Sequence, residues 1–135
     1  MNKPLVRIEH VWDDYDLLEV KVTARNGRFG GATEVYSTVS ALKDLARGIK
    51  GFPRSLSAHF AFDIGDDGRG RSVGLAFSCH RSAGQVAVTF SIQDGTDRVE
   101  SHLIVEPGAI DRFHTALVEL CERKAGNAEM EGENA

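Results

Sequence analysis

Between residues 85 and 93 apolar and polar side chains alternate without a break. Val86, Val88, Phe90 and Ile92 fall on one side, and Gln85, Ala87, Thr89, Ser91 and Gln93 on the other. A repeat of two is the signature of a strand, whose successive side chains point to opposite faces. A helix would scatter the same four apolar residues around its circumference. A strand greasy on one side only belongs in an antiparallel sheet with that side covered. The preceding segment, 72–80, has the same pattern: Val73, Leu75, Phe77 and Cys79 oppose Ser72, Gly74, Ala76, Ser78 and His80. Arg81-Ser82-Ala83-Gly84 between them is short and ends in glycine, as a hairpin loop requires.

The alternation extends to further strands at 5–12, 17–25, 28–37, 57–64 and 98–106. Asn26-Gly27 is a turn dipeptide, and Gly30-Gly31 predicts a bulge or bend. Two stretches switch to helical period. In 38–50, Val39, Leu42, Leu45, Ala46 and Ile49 form a stripe, with Ser37 or Thr38 as cap and Gly51 as stop. In 107–124, Pro107 opens the helix and Ile110, Phe113, Leu117, Leu120 and Cys121 line its apolar side. The expected fold is α+β, an antiparallel sheet of about seven strands in the order βββαββββα, with both amphipathic helices packed on one face. Residues 1–124 read as a single domain and 125–135 as a disordered acidic tail. The two strand-to-helix passages share their apolar spacing, for which two readings stand: the common requirement of packing a helix after a strand, which is favoured, and an ancient duplication.

A net charge of −4 and a pI near 5.7 disfavour nucleic acid as a partner, because its recognition usually selects a basic face. No apolar run approaches the length that crosses a bilayer, and Met1-Asn2-Lys3-Pro4 does not open a signal peptide. The expectation is a cytoplasmic protein. Both Cys79 and Cys121 lie in apolar patterns and read as small buried hydrophobes.

Motifs that carry chemistry are sparse. Gly-x-Ser-x-Gly is absent, and Cys79 and His80 point to opposite faces of their strand, so no nucleophile meets a base. Gly27 to Gly31 and Gly65 to Gly70 are glycine-rich but lack the Lys-Ser/Thr and the helix of a phosphate loop. Trp12-Asp13-Asp14-Tyr15-Asp16 and Gly65-Asp66-Asp67-Gly68 crowd carboxylates in surface turns without the spacing of a calcium loop. Asp13, Asp14, Asp16, Asp66 and Asp67 are therefore read as charges facing a protein partner. His59, His80 and His102 share the polar side of the sheet and are weak metal candidates; a zinc site needs about three such ligands to converge. No cofactor is expected. Ser72, Gly74, Ala76, Ser78, Ala87, Thr89 and Ser91 make that polar side bare of long side chains, room for a partner, a second subunit or a covering strand.

The run Asn26-Gly27-Arg28-Phe29-Gly30-Gly31-Ala32-Thr33-Glu34-Val35-Tyr36, followed by Leu42-Lys43-Asp44-Leu45-Ala46 and Gly51-Phe52-Pro53, is similar to a group of small bacterial proteins that resemble immunity-type proteins, the partners of cell-wall-associated toxins. The resemblance spans most of the chain and rests on pattern. It implies no catalytic residues; it implies binding and blocking a toxin. The expectation is a non-enzymatic protein-binding domain. A small-molecule or metal-binding domain using the histidine-bearing face is the first alternative, and a homo-oligomeric structural protein the second.

Overall fold

The computed structural model describes residues 3–15, 17–65, 68, 70–80 and 84–133. Three strands, β1 (Leu5–Asp14), β2 (Leu17–Asn26) and β3 (Phe29–Thr38), lead into helix α1 (Val39–Ile49). Then come β4 (His59–Gly65), β5 (Arg71–His80), β6 (Gln85–Asp94), β7 (Asp97–Val105), helix α2 (Pro107–Arg123) and β8 (Asn127–Glu131). The α+β class and the order βββαββββα are as expected, with one strand added at the end.

The strands form two antiparallel four-stranded sheets, β3-β2-β1-β8 and β4-β5-β6-β7, in place of the single seven-stranded sheet. Alternation reports which side of a strand is buried and is silent on which strand lies beside it. The supposed tail is also corrected, because Asn127–Glu131 pairs with β1 from Leu5↔Glu131 to Glu9↔Asn127. Ala128 and Met130 point inward with no exposure, and Glu129 accepts from Arg7 Nε at 2.8 Å.

Two units of three strands and a helix, β1β2β3α1 and β5β6β7α2, repeat the same design. The strand after each helix leaves its own unit. β4 joins the second sheet beside β5, and β8 joins the first beside β1. Equivalent positions keep one separation along the chain: the turn glycines Gly27 and Gly95, then Leu42 and Ile110, Leu45 and Phe113, Ile49 and Leu117. The spacing shared by the two strand-to-helix passages is thus part of a pseudo-symmetric architecture.

Strand β3 touches all four strands of the second sheet, so it runs across them. Gly31 permits the approach: a Cβ there would lie 3.1 Å from Val99 Cγ1. The register of β3 against β2 is unbroken through Gly30 and Gly31, so of the bulge or bend expected there the bulge is absent. Thr33 Oγ1 donates to Asp94 Oδ2 at 2.9 Å and ties the sheets together. The inner faces share one core with the helices. Leu18, Val20, Val22 and Ala24 of β2 and Val86, Val88 and Phe90 of β6 are wholly buried. Thr38 Oγ1 accepts from the Ala41 N–H at 3.0 Å and caps α1, and Pro107 opens α2 as anticipated. In the connector after α1, Phe52 is buried edge-on against Phe77, with ring centroids 6.0 Å apart.

Candidate protein-interaction surface

The β1–β2 hairpin ends in a tight reversal. Asp14 pairs with Leu17, leaving a two-residue turn whose first residue is Tyr15. Tyr15 has φ 51°, in the left-handed region that bulky side chains rarely adopt. Among the described residues two further two-residue turns, after β2 and after β6, put glycine at that first position: Gly27 with φ 61° and Gly95 with φ 65°. At Tyr15 the left-handed position carries a phenol instead, and it is 86% exposed.

The approach to the turn is shaped by a bulge. The β1–β2 register shifts between His10 and Trp12, so Val11 is the extra residue. A bulge re-aims the side chains around it. Trp12 then pairs with Glu19 and Asp14 with Leu17, which places these four on the outer face of the first sheet, beside Tyr36 and Thr38 of β3. Val11, Trp12, Tyr15 and Leu17 are all exposed, four of the six exposed large hydrophobics among the described residues. Such side chains in one small area are what a surface offers to a partner, since Trp and Tyr dominate interface energetics.

The hairpin end is tethered. Lys124, just past α2 and itself left-handed at φ 51°, donates from Nζ to Tyr15 O at 2.7 Å. The His10 N–H donates to Gly126 O at 2.9 Å. His10 Nε2 and Asp13 Oδ1 are also 2.9 Å apart.

Of the expected partner-facing carboxylates, Asp14 is exposed at this end, whereas Asp13 is half-buried and turned toward His10. Asp16, Asp66 and Asp67 lie outside the described residues. The histidines sit in different rows of the second sheet: His59 opposite Ser78, His80 opposite Gln85, His102 opposite Thr89. Among the described residues no three His, Cys, Asp or Glu side chains are placed to hold a metal ion. His80 and His102 border a shallow hollow of about 240 Å³ with Gln85 and Glu133. There the hydrogen bond and charge of Glu106 push the Glu133 carboxyl above its ordinary range. Cys79 is half-buried and donates to Ser55 O at 3.2 Å; burial pushes the Cys121 thiol up.

The small-residue face of the second sheet is open. Ala61, Ala76, Ser78 and Thr89 are exposed, so no strand of the first sheet covers them. No helix among the described residues is long and apolar enough to cross a membrane.

In the motif Trp12-Asp13-Asp14-Tyr15-Asp16 the sequence marks the acids as partner-facing and leaves out Trp12 and Tyr15. The available signal was a tyrosine where a two-residue turn prefers glycine. No protein-family model matches the chain, and no curated protein or solved structure does either.

Proposed function

We propose that this chain is a protein-binding domain that engages its partner through the outer end of the β1–β2 hairpin. The observation that carries the reading is Tyr15: an aromatic side chain in a strained backbone position, almost wholly exposed, at a turn where glycine would be cheaper. Backbone strain of about 1–2 kcal/mol at one residue is tolerated where the side chain has a use. Trp12 and Leu17, on the outer face of the same hairpin end, add exposed apolar area. The sequence resemblance to immunity-type proteins supports reading the partner as a toxin that the domain holds inactive.

A photocrosslinking amino acid in place of Tyr15, compared with the same residue in place of Leu56, tests this. Leu56 is 68% exposed in the connector between α1 and β4, next to Ser55, which accepts from Cys79 of the second sheet. Expressed in its native cells, the Tyr15 variant should link to one protein that the Leu56 variant does not. That protein, purified, should bind the unmodified domain and lose at least about tenfold in affinity for Trp12→Ala. Equal crosslinking at both positions, or equal binding by Trp12→Ala, removes the proposal.

A further inference from the structure

Resting on that reading, we infer that the partner surface receiving the hairpin end is a cationic cleft, and that Lys124 is the positioning residue that holds the end in shape to enter it. The charge argument begins with the register. Trp12 faces Glu19 across the strands and Leu17 faces Asp14, so each exposed apolar side chain of this outer-face patch has a carboxylate beside it. The next basic side chain along β2, Lys21, stands between Glu9 and Glu34 in the register, so acidic groups outnumber it there. The ammonium of Lys124 is directed to a backbone carbonyl, Tyr15 O. Among the described residues neither Asp14 nor Glu19 makes an ion pair, and against the single ammonium of Lys124 these two carboxylates leave the apolar area with a net negative rim, which a cleft lined by Lys and Arg complements chiefly in rate of encounter.

The shape argument rests on the strap from the end of α2. The Lys124 N–H closes the helix on Leu120 O, its Nζ holds Tyr15 O, and two residues on Gly126 O accepts from His10. The hairpin end is thus tethered to the segment after α2, while the Tyr15 side chain stays exposed. An end already in its bound shape loses less conformational freedom on docking, which strengthens binding without a new contact.

The test uses the full chain and the purified protein captured through position 15. Affinity should fall by about tenfold or more between 50 mM and 500 mM salt, and Asp14→Asn with Glu19→Gln should slow association by about tenfold. Lys124→Met should raise the dissociation rate several-fold while leaving the thermal midpoint within about 2 °C, and Lys124→Arg, which retains a donor, should restore binding. Affinity indifferent to salt and to the paired neutral substitutions overturns the cationic cleft. Wild-type dissociation in Lys124→Met, or failure of Lys124→Arg to restore it, overturns the positioning role. Either result leaves the hairpin end as the contact surface, which fails if crosslinking at positions 15 and 56 is equal or if Trp12→Ala binds as the wild type does.

Discussion

The two sheets are built alike inside and differ outside. Their inner faces carry matched apolar rows, Val6 and Ile8 beside Leu18, Val20 and Val22 in the first, Val73 and Leu75 beside Val86, Val88 and Phe90 in the second. The outer face of the first bears Arg7, Glu9, Glu19, Lys21 and Glu34 and ends in the aromatic hairpin. That of the second bears Ala61, Gly74, Ala76, Ala87 and Ser91. The architecture requires only the inner match. Where two halves fold by the same rules, a feature found in one half alone answers to something other than folding. Among the described residues an aromatic side chain at a left-handed turn position is such a feature.

The largest effects should fall on the shared interior and ignore the difference between halves. Phe90→Ala and Phe113→Ala, both side chains fully buried, should each cost about 3–5 kcal/mol in chemical denaturation. Their counterparts Val22→Ala and Leu45→Ala should also destabilise, by about 2–4 kcal/mol, in the same single transition. A separate early transition for one pair would break the idea of a common core. Next comes Gly65→Ala. A Cβ there would lie 2.6 Å from Arg71 O and 2.8 Å from Val35 Cγ1, at φ 79°, so a loss of about 2–3 kcal/mol is expected.

The turns sharpen the comparison by sign. Gly27→Ala and Gly95→Ala should each cost about 1 kcal/mol, since both sit at positive φ with open space around them. Tyr15→Gly should instead leave stability unchanged or raise it by up to about 1 kcal/mol, while weakening the partner complex. A clear loss of stability in Tyr15→Gly would show that the tyrosine serves the fold. The smallest effect concerns one carboxyl. Glu133 should titrate above the ordinary range in a side-chain NMR titration and return to it in Glu106→Gln. Its folded pKa is raised, so any stability it lends is present at low pH and lost as pH rises through that value.

Strands with a clean repeat were legible from the sequence because burial of one face imposes the repeat. β2, β5 and β6 declare themselves in Leu18 to Ala24, Val73 to Phe77 and Val86 to Ile92. β8 was hidden by composition. Its inward residues are only Ala128 and Met130, and the alternating Glu129 and Glu131 read as solvated tail, although Glu129 is the ion-pair partner of Arg7. The division into two sheets was invisible because pairing partners are chosen by topology, and β4 and β8 are both placed away from the unit that precedes them. At the candidate surface the acids were legible as charge. The fate of Asp13 depended on a bulge that turns it toward His10, and nothing local marks that bulge.

The reciprocal placement of β4 and β8 has a consequence for how the molecule comes apart. Peeling β8 from β1 strips the neighbour of α2 and bares Val6 and Ile8. Peeling β4 uncovers the flank of β5 and the side of α1 that rests on it. Each half is clasped by a piece of the other, so neither can melt while its twin stays whole. Amide hydrogens of both sheets should exchange together, at the rate of complete unfolding.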